Sequence, residues 1–284
     1  MKKFDYYQPE SIGDAFHLME KLGDGARYVA GGTDLIVRIK QKAIQPEALI
    51  SLRGVDSLKG IEVNGGVSLG SMTLFRDIER SEELRKACPA LVEAVRVLAN
   101  PQVRNVATPG GNISNAAPSA DCAPPLLVMD AVVTVTGPGG ERRIPLEDFF
   151  VGPGKTSMDF TEIVTRITIP KANKGTGMAF MKVGRVTQDI AIANAAVLLV
   201  MEGKTCRKCR VAAGAVAPVP LRLRKVEALL EGRKIDQDLV NEAGNAAGKE
   251  VQPITDVRST EEYRRHISGV LVKKAIQKAM ERTG

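Results

Sequence analysis

Two diglycine stretches, Ala30-Gly31-Gly32-Thr33-Asp34 and Thr108-Pro109-Gly110-Gly111-Asn112, carry the strongest chemical suggestion in this 284-residue chain. A glycine pair between a strand and a helix lets a ligand or another backbone come close, because no Cβ stands in the way. The amides at the start of the following helix point outward, and the helix dipole favours negative charge there. Two such loops can cradle a diphosphate with main-chain donors alone, and neither stretch contains a lysine or arginine. Thr33, Thr108, Asn112, Ser114 and Asn115 add side-chain donors, and Asp121 can accept from a hydroxyl. The competing reading, which one loop alone could not displace, is that each pair merely makes a tight turn.

Other candidate motifs carry less. Gly154-Lys155-Thr156 ends like a Walker loop, but the glycine required five residues before Gly154 is Phe149. Gly23-Asp24-Gly25 opens like a dinucleotide fingerprint, yet it precedes a strand and has Tyr28 at the third glycine position. Cys206-Arg207-Lys208-Cys209 lacks a second CxxC, so a reduced structural pair is expected in place of a zinc or redox site. His17 and His266 fall in predicted helices as surface or packing residues. No catalytic residue and no metal ligand is assigned.

The elements that must position the glycine loops follow from apolar spacing. Ile12, Ala15, Phe16, Met19 and Leu22 predict a helix behind Ser11, followed by a strand at Tyr28–Ala30, a helix over 35–39 and a strand over 48–52. Asn64-Gly65 predicts a hairpin between strands at 60–63 and 66–69. Helices are expected at 73–80 and 88–99, and strands at 131–136, 141–144 and 163–169. The polar, glycine-bearing segment 171–177 is the best linker, and a domain boundary is placed there. Beyond it the pattern predicts strands at 178–183, 190–201 and 208–216, then helices at 222–231, 236–248 and 261–282.

Composition bounds the partners. Apolar residues at 44% and charged residues at 26% are globular averages. No stretch has the length and apolarity of a membrane span, and the N-terminus lacks an apolar leader core, so a cytoplasmic protein is expected. Four cysteines agree with a reducing compartment. The net charge of +7 is spread along the chain without interleaved aromatics, which argues against nucleic acid. The nearest approach to a cluster, Arg207, Lys208, Arg210, Arg222, Arg224 and Lys225, is read as a solvated face or a surface for an acidic protein.

Ala30-Gly31-Gly32-Thr33-Asp34-Leu35, Pro101-Gln102-Val103-Arg104-Asn105, Thr108 to Asn115 and Pro118-Ser119-Ala120-Asp121 together resemble the FAD-binding medium subunit of molybdenum hydroxylases. Comparison is best with carbon monoxide dehydrogenase and with the flavin domain of xanthine dehydrogenase. The likeness continues through Phe149 to Thr156, Glu162-Ile163 before Ile169-Pro170, and Lys182-Val183-Gly184-Arg185 before Asp189-Ile190-Ala191. It implies an α+β protein: a two-part FAD-binding domain of the PCMH/vanillyl-alcohol-oxidase type over 1–175 (about 1–57 and 58–175), then a small C-terminal domain of antiparallel sheet plus helices over 176–284.

By that resemblance Ala30, Gly31, Gly32, Thr33, Asp34 and Leu35 meet the FAD phosphates. Thr108, Gly110, Gly111, Asn112 and Ser114 line the phosphates and flavin, and Asp121 anchors the cofactor. Val164 and Lys182 are weaker transfers, since Met181 competes with Lys182 for the aligned position. Pro109 stands where an aliphatic residue is usual, and Val186 replaces a basic one. The implied role is non-covalent FAD in an oxidoreductase complex. A molybdopterin-binding large subunit would oxidise substrate, and a small subunit with two [2Fe–2S] clusters would deliver electrons for an external acceptor: NAD, quinone or oxygen. The alternatives are a stand-alone FAD oxidase or dehydrogenase and a nucleotide-binding scaffold without redox chemistry.

Overall fold

The computed structural model describes residues 2–283. Its first layer is a parallel sheet in the order β1-β3-β2, built from β1 (Asp5–Tyr7), β2 (Ala26–Val29) and β3 (Ala48–Ser51). Helix α1 (Ile12–Leu22) links the first two strands; the Ser11 hydroxyl caps it by accepting from the Asp14 amide at 3.0 Å. Ala15 and Met19 are its buried stripe, and Gly23, at φ +58°, ends it. Helix α2 (Leu35–Lys40) follows β2 directly across the first glycine pair, as the spacing predicts. Strand β1 was not anticipated, because three residues are too few to show a period.

A five-stranded antiparallel sheet comes next, in the order β4-β5-β10-β6-β7. Its strands are β4 (Ile61–Val63), β5 (Gly66–Gly70), β6 (Val132–Gly137), β7 (Gly140–Pro145) and β10 (Ile163–Pro170). The Asn64-Gly65 turn forms as predicted, with Gly65 at φ +67°. Short helices fill the long insertion between β5 and β6: α3 (Phe75–Arg80), α4 (Glu82–Ala87), α5 (Pro89–Arg96), α6 (Pro101–Arg104), α7 (Pro109–Ser114) and α8 (Ala123–Val128). Helix α9 (Leu146–Phe149) and the ribbon β8 (Phe150–Gly152) with β9 (Lys155–Thr156) complete this part. The helix expected over 88–99 stops at Arg96. Ala99 turns to φ +44° and the buried Arg104 guanidinium collects the carbonyls of Leu98 and Ala99 at 3.0 and 3.1 Å.

The remaining sheet runs β11 (Thr176–Val183), β12 (Ala193–Glu202), β13 (Thr205–Gly214) and β14 (Leu221–Arg222), all antiparallel. Both faces are covered, so the buried positions of its strands are mostly apolar. Met178, Phe180, Ala196, Leu198 and Ala212 join the core of the preceding helices. Ala179, Ala195, Val197, Leu199, Val211 and Ala213 pack on α10 (Arg224–Leu230), α11 (Gln237–Glu250) and α12 (Glu261–Met280). Two expectations need correction. Thr176 and Gly177 are strand and not linker: a Cβ on Gly177 would collide with the Ala279 carbonyl of α12, so only glycine lets that helix cross here. Ile190 lies outside β12 and is exposed, since apolarity without pairing partners does not make a strand.

Polar contacts along the seam are specific. Glu93 of α5 accepts from the Phe180 amide (2.9 Å), Lys278 (2.7 Å) and Arg282 (2.7 Å). Of the cationic cluster read as a solvated face or a surface for an acidic protein, Arg207, Arg224 and Lys225 are exposed and only Arg222 is buried, but most of its charges are already paired. Asp130 takes Lys208, Arg210 and Arg222; Glu227 takes Arg222; Glu147 takes Arg224 at 2.5 Å; and Glu202 pairs with Arg207.

Candidate functional site

The two glycine pairs, 79 residues apart, lie against each other. A Cβ on Gly31 would run into the Val106 carbonyl and stand 2.8 Å from Ala107 Cα, so the first loop rests on the backbone leading into the second. A Cβ on Gly111 would stand 3.2 Å from Ala30 Cβ. The Val103 carbonyl, which accepts from the amides of Val106 (3.0 Å) and Ala107 (2.8 Å), and the Ala107 carbonyl, which accepts from Phe75 N–H at 3.0 Å, hold that backbone in place. The Pro101-to-Asn105 motif thus supports the site from behind.

The loops are not equivalent. The first joins β2 to α2 as expected, and Gly32 adopts φ +75°. Among the described residues no protein acceptor takes the amides of Gly32, Thr33, Asp34 or Leu35; the first bonded amide is Ile36, to Gly32 O at 3.0 Å. No side chain caps α2. The second stretch corrects the expectation: it follows helix α6, its glycines form the first turn of α7, and its amides are taken. Gly110 N–H donates to Ser71 O (3.0 Å), Gly111 N–H to Thr108 Oγ1 (3.1 Å) and Asn112 N–H to Thr108 O (2.9 Å). Thr108 and Gly110 are buried, whereas Gly111, Asn112 and Ser114 remain partly open. Pro109 sits at the first position of α7, where a missing amide costs nothing. Free amides therefore come from the first loop; side chains and close approach come from the second.

Leu35 packs its side chain among Val29, Ile39 and Leu49. Asp34 is exposed, and its carboxylate would repel an anion, so only its amide suits a phosphate. Val164 is buried beside the Thr165 bulge of β10, whose carbonyl accepts from Ser71 N–H at 3.1 Å. Ser71 thus links that bulge to Gly110. Asp121 is not a free acceptor: Lys182 Nζ donates to its Oδ2 at 2.6 Å and Asn194 Nδ2 to its Oδ1 at 2.9 Å. Burial pushes the Asp121 carboxyl above the usual range, opposed by the Lys182 charge and by both hydrogen bonds. Lys182 also donates to Val97 O at 3.0 Å. Met181 points the other way, toward the core under α10–α12, so the two side chains lie on opposite faces of β11.

Comparison with known proteins agrees with this geometry. Residues 2–172 match the family described as the FAD binding domain in molybdopterin dehydrogenase, and residues 178–279 match the CO dehydrogenase flavoprotein C-terminal domain. The chain belongs to this FAD-binding medium-subunit family. The carbon monoxide dehydrogenase medium chain of Hydrogenophaga pseudoflava is 34% identical over 99% of this chain and 98% of that one. The xanthine dehydrogenase FAD-binding subunit of Escherichia coli O157:H7 is 30% identical, covering 98% and 97%. The solved carbon monoxide dehydrogenase of Hydrogenophaga pseudoflava superposes with a TM-score of 0.96 at 35% identity over 99% and 98% of the two chains. This medium subunit is therefore an oxidoreductase component with an FAD-binding fold.

Its own residues fit that cofactor. Asn112 Oδ1 and Ser71 Oγ are buried and have no partner among the described residues, an arrangement that leaves polar groups waiting beside the glycine cradle. Ser71, Thr165 and Asn194 carry no signal in the sequence, because isolated polar residues at strand ends read as ordinary turn chemistry. The four cysteines are free and buried. Among the described residues no helix is long and apolar enough to cross a membrane.

Proposed function

We propose that this medium subunit holds one FAD non-covalently across the abutting glycine loops and relays electrons within a molybdenum hydroxylase. The observation that carries the reading is the pairing of loops with complementary roles, one with unclaimed amides and one with an unpartnered Asn112 carbonyl. When bound, FAD supplies electron exchange in single or paired steps. The chain's part is binding and orientation. Amides from Gly32 to Leu35 meet the diphosphate alongside Ala30, Gly31 and the Thr33 hydroxyl. Asn112, Ser114 and Gly111 line it from the second side, on the frame built by Thr108 and Gly110. Asp121 and Lys182 anchor the cofactor from the seam, and Val164 borders it with its backbone.

The boundary we infer separates an FAD-binding domain over 1–175, in parts of about 1–57 and 58–175, from a C-terminal domain over 176–284. The partners are a molybdopterin-binding large subunit and a small subunit with two [2Fe–2S] clusters, in a cytoplasmic heterotrimer that reduces NAD, quinone or oxygen. Co-purification of this chain from its native host tests the assembly: two partner chains, an acid-releasable flavin and acceptor reduction are expected. A colourless chain that takes up no added FAD refutes the reading.

A further inference from the structure

We propose that Asn194 is a positioning residue of the flavin site, fixing the Asp121 carboxylate from the C-terminal sheet; this rests on the flavin reading above. Asn194 is 1% exposed, and its Nδ2 donates to Asp121 Oδ1 at 2.9 Å. Its own Oδ1 is buried without a partner among the described residues, so the side chain is held by that single bond and by packing. The packing is tight: Asn194 faces Gly214 across the β12–β13 ladder, and a Cβ on Gly214 would collide with Asn194 Oδ1 and lie 3.3 Å from Asn194 Cγ.

The backbone beneath is fixed as well. Buried Arg264 of α12 donates from Nη1 to Ile192 O (2.7 Å) and Ala215 O (2.9 Å), just outside the Asn194–Gly214 pair, and from Nη2 to Asp256 Oδ1 (2.7 Å). Ala215 N–H in turn donates to Pro118 O at 2.7 Å, in the segment between the second glycine loop and Asp121. One arginine thus braces both strand ends that reach the site. The charged and titratable groups facing Asp121 are Lys182 of β11 and the neighbouring Cys122 thiol. Lys182 balances the charge, while Asn194 sets which way the second oxygen points.

The test uses the full chain, FAD as probe, fluorescence titration from pH 5 to 8, and melting curves to select folded protein. Asn194→Leu removes the donor and is expected to weaken FAD roughly tenfold or more, the range of a lost hydrogen bond to a charged group. It also moves any pH inflection in affinity upward, because Asp121 loses one interaction that favours its ionised form. Asn194→Ser, which disturbs packing less, gives a smaller change in the same direction. In an Asp121→Asn background, Asn194→Leu has no further effect on FAD affinity if it acts through Asp121. Wild-type affinity and pH profile in a folded Leu or Ser variant, or additive losses in the double variant, overturn the proposal while leaving the flavin reading intact. A wild-type chain that binds no FAD overturns the flavin reading and this inference with it.

Discussion

Gly31→Ala separates a working glycine cradle from an ordinary turn. The added methyl would collide with the Val106 carbonyl and stand 2.8 Å from Val106 C and Ala107 Cα. Carbon pairs rest near 3.5–4.0 Å, so the two loops must part by roughly 0.7 Å or more. Both obstacles are backbone and cannot rotate away. Overpacking costs about 1–3 kcal/mol, and the upper end applies here. Gly111→Ala is the internal comparison: its nearest neighbours, Ala30 Cβ and Thr108 Oγ1, stand at 3.2 Å, a conflict relieved by a few tenths of an ångström. Gly111 also lies in a helix, where alanine regains up to about 1 kcal/mol. Flavin titration and melting of the full chain should rank the pair clearly. Gly31→Ala is expected to lose about a hundredfold in FAD affinity, near 3 kcal/mol, and Gly111→Ala less than tenfold. Equal affinities for wild type and Gly31→Ala would refute the claim that loop contact builds the site.

Other consequences are smaller in scope. Asn112→Ala removes a buried, unpartnered carbonyl and should raise the melting point of the flavin-free chain by the equivalent of about 1 kcal/mol while lowering FAD affinity; opposite signs in the two assays are the signature. Glu93 is subject to burial, which raises its pKa, but hydrogen bonds from Arg282, Lys278 and the Phe180 amide outweigh it and hold the carboxyl below its ordinary value. A depressed carboxylate contributes stability above its unfolded pKa and loses it as pH falls through the folded one. Denaturant melts should therefore show the seam weakening below about pH 4.3 in wild type, with a flatter acid limb in Glu93→Gln. Burial pushes the Cys88 thiol up to about 12 and raises Cys122; the Cys206–Cys209 contact raises Cys209 and lowers Cys206, and all four are enclosed. Iodoacetamide at pH 8 should label none of the four in folded protein and all four after unfolding, as read by mass spectrometry.

Much of the fold was legible because long elements announce themselves. Helix α1 shows its cap and its apolar stripe within eleven residues, and the Asn64-Gly65 turn names its own hairpin. What stayed hidden was short or set by distant contacts. Helix α4 follows Ser81 with a cap bond at 3.2 Å, but six residues with a single buried Leu84 do not make a period. Thr176 and Gly177 read as linker since flexible-looking residues and a tight helix crossing use the same amino acid. Only the Ala279 carbonyl in the way of a Cβ tells the two uses apart.

The site shows the same division at finer scale. Glycine in a sequence marks permission for close approach, and both pairs do mark it. Nothing in the sequence says what approaches. At Gly31 the close neighbour is the protein's own Val106–Ala107 backbone, and at Gly110 it is Ser71, whose Cβ would stand 2.6 Å from an added methyl. Likewise a loop free of cations suggests amide donors, but whether an amide is available depends on partners that arrive from elsewhere in the chain. Thr108 and Ser71 claim those of the second loop, and among the described residues none claims those of Gly32 to Leu35. Asp121 completes the pattern: as a lone acid it read as a free acceptor, yet two donors from β11 and β12 hold it. A binding surface assembled from main-chain groups is thus decided by which hydrogen bonds the folded chain leaves unmade, and that remainder exists only after every element has packed.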